Sequence, residues 1–253
     1  MLKLYVKLSL MLLISLGLFA CKKETAQMGS GTSALTIVNG IPGTGPLLSN
    51  FNGQNLGVRW YSGLQRIAYA EFKFFTSYSG TQSLSLYQTA DTSLHKSLFN
   101  LSLDLPLHTM HTLFLTGTLQ SPDTLFTMDQ PPYNLPADST MGIRFVNLFQ
   151  GSSVSVNRIG QAYSSEISQL SYKDISAFRK YPANSKISSY TFEFKDQATG
   201  QLLGFIVLKD INKIGNSLNG RNLWLNKNFT LALLGAAIPG NAPDRVLLIS
   251  SGY

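Results

Sequence analysis

A single cysteine in 253 residues leaves nothing from which to build a disulfide framework or a zinc ribbon. Charge is also scarce: 13% of the residues are charged against 44% hydrophobic, a balance that excludes intrinsic disorder. Histidine occurs three times and tryptophan twice, so histidine-based chemistry and aromatic binding have few places to sit. Glycine and proline, at 21 and 10, are too ordinary for a collagen-like or low-complexity chain. What these absences leave is a globular protein of one or two domains.

The N-terminus has the pattern of an address. Met1 to Lys7 carries two lysines and no acid, and Leu8 to Ala20 (LSLMLLISLGLFA) is then free of charge. That stretch falls short of the roughly 20 apolar residues a membrane-spanning helix needs. Its apolar residues run all round a helix rather than along one stripe, which argues against a docked amphipathic helix. A basic start, an apolar centre and a small final residue predict a secretory signal over residues 1–20.

Leu18-Phe19-Ala20-Cys21 resembles the lipobox of bacterial lipoproteins, in which the chain is cut before the cysteine and the thiol is acylated. The resemblance implies lipid attachment at Cys21 and a membrane as partner. Several acyl chains, at about 0.8 kcal/mol per buried methylene, anchor a protein without spanning the bilayer. Lys22-Lys23-Glu24 is similar to the charged start of Bacteroidetes-type lipoproteins, and implies an outer-membrane location on the periplasmic or cell-surface face.

Past a polar tether over 21–33, the chain reads as two copies of one unit. Ala34–Asn39 (ALTIVN) matches Gly142–Asn147 (GIRFVN). Ile67, Tyr69, Glu71, Phe72, Phe75 and Tyr78 match Leu170, Tyr172, Asp174, Ile175, Phe178 and Tyr181. Ser83–Leu86 pairs with Thr191–Phe194, and Thr112–Gly117 with Thr230–Gly235. Four matches in one order, at offsets of 103 to 118, make a tandem repeat with short insertions. Alternating apolar and polar positions predict half-buried strands, and Gly-, Asn- and Pro-rich turns separate them. Ile159–Tyr172 is the nearest thing to a helical segment, with Gly160 inside it. The expected fold class is all-β, two tandem immunoglobulin-like β-sandwich domains at 34–130 and 141–253. Between them lies a Pro-rich linker at 131–140, expected to be extended and semi-rigid. With a tether reaching at most about 40 Å, the first domain is expected near the membrane and the second projecting beyond it.

The strand openings ALTIVNG and GIRFVNL, Tyr172-x-Asp174 with Tyr181, and FTLALLG resemble the secreted bacterial β-sandwich repeats of domain-of-unknown-function family 4397. The resemblance covers most of 141–253 and, more faintly, 34–128. It implies an immunoglobulin-like sandwich in an exported protein, and no catalytic residues.

Candidate sites are few. His108 and His111 with Asp104 nearby carry metal-ligand chemistry, but positions three apart point to opposite faces of a strand. His111 aligns with Phe229, a packing position, and His95 stands alone, so no metal is expected. The second unit has no histidine, and no Gly-x-Ser-x-Gly elbow occurs. Glu71 and Asp174 recur one per copy, as a shared turn fixture would. No catalytic residue and no cofactor are therefore expected. Trp60, Tyr61 and Trp224 lie beside arginines and turns; they either stack on a glycan or peptide or pack in the cores. Lys173, Arg179, Lys180 and Lys186 form a loose basic region. Lys3 and Lys7 leave with the signal, and no nucleic-acid signature is present. Asp123-Thr124-Leu125 and Asp138-Ser139-Thr140 resemble Bacteroidetes O-glycosylation acceptors, at Thr124 and Ser139. Two function classes stand: an envelope spacer or interaction module, and a glycan- or peptide-binding surface protein. An enzyme ranks behind both.

Overall fold

The structure is a computed structural model that describes residues 31–51, 66–89, 96–213, 222–235 and 246–251. Cys21, Trp60, Tyr61 and His95 lie outside the described residues. The chain is all-β, with two tandem β-sandwiches. In the first, strands β1 (Thr32–Asn39), β4 (Glu71–Tyr78), β7 (Met110–Gly117) and β8 (Pro122–Asp129) form one sheet in the order β4-β1-β7-β8. Strands β2 (Leu47–Phe51), β3 (Arg66–Ile67), β5 (Gly80–Gln88) and β6 (Phe99–Leu105) form the other, β3-β2-β5-β6. The second unit repeats this wiring. Its β9 (Thr140–Asn147), β12 (Arg179–Pro182), β15 (Asn228–Leu233) and β16 (Val246–Ser250) give β12-β9-β15-β16. Its β10 (Val154–Arg158), β11 (Ile167–Leu170), β13 (Ser189–Asp196) and β14 (Leu202–Lys209) give β11-β10-β13-β14. In both copies the first strand pairs in parallel with the seventh. Among the described residues the one helical element is a 3-10 turn at Pro136–Asp138. Ile159–Tyr172 forms turns and β11 rather than a helix.

Alternation along each strand sends every second side chain into a sandwich core. Leu35, Ile37, Leu84 and Leu86 fill the first, and Ile143, Phe145, Phe192 and Phe194 the second. The repeat extends to single hydrogen bonds. Asn39 and Asn147, both fully buried, end their strands by bridging to another strand. Asn39 Nδ2 donates to the Ile67 carbonyl (3.1 Å) and its Oδ1 accepts from Ile41 N–H (3.2 Å). Asn147 does the same with Leu170 (3.0 Å) and Phe149 (2.9 Å). Glu71 and Asp174 are turn fixtures, accepting from the N–H of Ala68 and Ser171, three residues back.

Two of the residue matches, Phe75 with Phe178 and Tyr78 with Tyr181, fail by a residue. Phe72 pairs with Val38 as Ile175 pairs with Val146, but Tyr78 pairs with Thr32 whereas Pro182, not Tyr181, pairs with the equivalent Thr140. The second copy therefore carries one extra residue between Ile175 and Arg179. A one-residue slip exchanges the faces of a strand. So Tyr181 is buried in the second core at 3% exposure while Tyr78 stands 65% exposed.

The two sandwiches are packed against each other. Val38 and Phe114 of the first contact Val146, Leu148, Ala232, Leu234 and Ile249 of the second in one buried cluster. The sheets containing β1 and β9 thus face each other; β7, β9 and β15 are buried on both faces, as is the Val38–Asn39 end of β1, whose Ala34 and Thr36 stay half-buried. The expectation of a half-buried strand holds for β1 up to Ile37 and is corrected for β9, and the expectation that the second domain projects beyond an extended linker is corrected as well. The linker docks instead: Asn134, 3% exposed, donates to Asn228 Oδ1 (3.0 Å), whose Nδ2 donates to the Pro132 carbonyl (2.9 Å). Gly40 permits the close approach. A Cβ there would lie 2.8 Å from the Leu115 carbonyl and 3.2 Å from Leu234; the repeat-equivalent position is Leu148.

Candidate functional site

The seam between the sandwiches is apolar at one end and polar at the other. At the polar end Arg144 points outward from β9, amid an otherwise apolar strand, and meets Asp129 from the end of β8 at 2.6 Å. Their side chains are 6% and 9% exposed, so the pair is nearly dry. Arg144 Nε also donates to Thr230 Oγ1 (2.8 Å), which shares a hydrogen bond with Ser251 Oγ (2.6 Å). Thr112 donates to the second carboxylate oxygen of Asp129 (2.6 Å). The Phe178 ring closes the network under the guanidinium, 4.9 Å from its carbon. Every ionised atom is thus paired or stacked, as burial requires.

A second clip lies further along. Lys173 Nζ contacts both Asp123 oxygens at 2.9 and 3.0 Å, and Tyr172 O–H reaches Thr116 Oγ1 at 3.3 Å. Partial burial alone would raise the Asp123 carboxyl. The Lys173 ammonium, the Thr124 N–H and the Tyr172 hydroxyl outweigh it and hold the group below its ordinary value. Burial pushes the Tyr172 hydroxyl up.

Above the Asp129–Arg144 pair the facing sheets part to leave a groove of about 390 Å³, lined by Thr36, Phe74, Thr76, Met110, Asp129 and Ser250 among others. A further hollow of about 370 Å³ shares Ala34, Thr76 and Met110 with it. The volume lies within the range of small-molecule sites.

Another polar cluster sits in the second sandwich. Glu166, 7% exposed, accepts from the Tyr181 hydroxyl and is flanked by Arg158 (3.2 Å) and Arg179 (3.8 Å). The Arg158 guanidinium lies over the Tyr181 and Tyr190 rings at 5.8 and 5.6 Å. Burial first, then the Glu166 carboxylate, raise the Tyr181 hydroxyl far above its ordinary value. This cluster belongs to the core; the inward-turned Tyr181 creates it.

The residues expected from sequence fall as follows. Trp224 is half-buried, leans on Phe229 (ring centroids 5.0 Å apart) and donates its N–H to the Lys209 carbonyl (3.0 Å). That gives the ring a packing job at the edge of the second core. His111 is buried and stacked on Phe126 (5.0 Å), and burial lowers it, although Asp129, Asp104 and the Thr127 backbone act in the other direction. No group of three His, Cys, Asp or Glu side chains able to hold a metal occurs among the described residues. Three members of the basic region have acidic partners: Lys173 with Asp123, Arg179 with Glu166, Lys180 with Asp138. Thr124 lies within strand β8 and Ser139 follows the 3-10 turn. Arg144 and Asp129 were not among the residues expected from the sequence. Their signal was a lone arginine inside an apolar strand, a charge that burial on both faces obliges to find a partner.

No protein-family model matches the chain, and no curated protein matches it by sequence. Among solved structures it is similar to a family-26 carbohydrate-binding module of Eubacterium rectale, crystallised in complex with maltoheptaose. The identity is 10%, the match covers 87% of this chain and 98% of the module, and the TM-score is 0.26. A superposition that loose says nothing about the ligand of this chain.

Proposed function

We propose that the protein is a lipid-anchored cell-envelope module, held at the outer membrane through Cys21, whose two sandwiches act as one rigid interaction body. The anchoring rests on Leu18–Cys21, the basic apolar leader and the polar tether. The body rests on one observation, the buried seam with its Asp129–Arg144 pair. Two flexibly strung domains would leave that apolar face in water and that pair solvated. A face-to-face pair presents one fixed surface, which suits a spacer or a docking partner. A binding role for a small ligand or glycan is the second reading, favoured by the groove above the pair.

The anchor is tested with Cys21→Ser. The natural chain should fractionate with membranes, and the variant should be released. Membrane retention with unchanged processing would remove the anchor. Small-angle scattering of the full chain tests the body: the profile should fit two sandwiches side by side, and a strung-out envelope would contradict it.

A further inference from the structure

The groove between the facing sheets carries groups that the seam does not use. Alternation places Phe72, Phe74, Thr76 and Tyr78 on one face of the edge strand β4. Phe72 joins the buried seam, but Phe74 and Tyr78 are 62% and 65% exposed. Four residues apart along a strand, their Cα atoms are separated by roughly 13 Å. Phe74 lines the groove and leans edge-on against Phe72 (ring centroids 5.3 Å apart), leaving its other face open, while Tyr78 lies further along the same face, outside the groove's lining.

The floor beside them is made of hydroxyls. Pairing places Phe74 next to Thr36 and Thr112 on one rung, and Thr76 next to Ala34 and Met110 on the next. Thr112 is spent on Asp129, but the hydroxyls of Thr36, Thr76 and Ser250 make no side-chain hydrogen bond among the described residues. The one ionised side chain in the lining, Asp129, is neutralised by Arg144. A phosphate or carboxylate finds no cation here. A wholly apolar ligand would bury the three hydroxyls without partners, at a cost.

The complement of open rings, unspent hydroxyls and zero net charge is a molecule with flat C–H faces and hydroxyl edges. We infer that the groove binds a neutral oligosaccharide. Phe74 stacks on one sugar face within the groove, Tyr78 meets a sugar further along the chain where it leaves the groove, and Thr36, Thr76 and Ser250 exchange hydrogen bonds with ring hydroxyls. The Asp129–Arg144 pair holds the floor rigid. The inference rests on the reading of the groove as a binding site and is independent of acylation at Cys21.

The test is calorimetric titration of the full chain in an amine-oxide detergent that has no sugar headgroup. The neutral probes are cellotetraose, mannotetraose and chitotetraose; the comparison probes are a sulfated heparin tetrasaccharide and an uncharged heptapeptide. At least one neutral probe should bind. Phe74→Ala should weaken it about tenfold, the loss of roughly one stacked ring. Tyr78→Ala should weaken it as well, and Trp224→Ala should not. The unfolding midpoint of Tyr78→Ala should match the natural chain, and that of Phe74→Ala should fall only slightly, through loss of its edge contact with Phe72. Tighter binding of the peptide or of heparin would overturn the saccharide and keep the groove as a site. No saturation by any probe at about 10 mM, or affinity unchanged in Phe74→Ala, would overturn the saccharide together with the groove reading.

Discussion

Asp129→Ala is the sharpest probe of the fused body. Asp129 and Arg144 are 9% and 6% exposed and 2.6 Å apart. Removing the carboxylate strands a guanidinium whose remaining support is Thr230 and the Phe178 ring. Breaking one partner of a buried pair costs about 3–5 kcal/mol, because the other charge stays desolvated. The Thr112 hydroxyl loses its acceptor too, which places the expected loss toward the upper part of that range. For a chain of this size each kcal/mol moves the melting point by about 2–4 °C, so a fall of about 10–15 °C follows. Scanning calorimetry should show one cooperative transition in the natural chain, since neither sandwich unfolds without exposing the seam. In the variant the transition should broaden or divide as the sandwiches uncouple. The double variant Asp129→Leu with Arg144→Met removes both charges and should recover most of the loss. A melting point within about 2 °C of the natural chain for Asp129→Ala would mean that water reaches the pair, and would refute a closed seam. A double variant no better than the single would refute the charge argument.

Asn39→Ala and Asn147→Ala should each cost about 3 kcal/mol in denaturant unfolding, since each strands several buried backbone groups; a large difference between them would deny their equivalence. Gly40→Leu, which installs the residue of the second copy, should destabilise by about 1–3 kcal/mol through overpacking against Leu234 and the Leu115 carbonyl, and a neutral result would place the seam elsewhere. Tyr181 has a raised folded-state value, so above pH about 10 the unfolded chain releases a proton that the folded chain keeps. Stability should therefore fall as pH rises past that point. Tyr181→Phe should flatten this alkaline limb while lowering stability near neutrality by about 1.5–3 kcal/mol, the worth of a bond to a charged acceptor; an unchanged limb would assign it to other tyrosines.

Much of the architecture was legible because it is local. The alternation of ALTIVN and GIRFVN placed two strands, and their terminal asparagines marked where those strands end. Glu71 and Asp174, one per copy, were readable as turn fixtures because a carboxylate three residues after a free N–H can satisfy it without help from elsewhere. His111 aligned with Phe229, and both are buried against a ring, His111 stacked on Phe126 and Phe229 tilted against Trp224. The match of Tyr78 to Tyr181 failed because a single extra residue before Arg179 changes which face a strand presents, and spacing alone does not show where a bulge falls. Trp224 shows the same limit: an indole near a turn and an arginine reads alike whether it faces water or leans on Phe229.

The sequence by itself determined that the chain is all-β, built twice from one strand order, and led by an apolar segment ending at a lone cysteine. Each of these depends on neighbours in the chain. Only the tertiary structure decided that the two copies meet. The Ile37-Val38, Phe145-Val146 and Leu113-Phe114-Leu115 runs, apolar on both faces, fit a covered sheet, but apolarity is non-directional and names no covering partner. That Val38 finds Ala232, that Arg144 finds Asp129 and that Phe74 is left beside a groove depend on how two sheets distant in sequence approach. That approach is set by the shape of the whole seam.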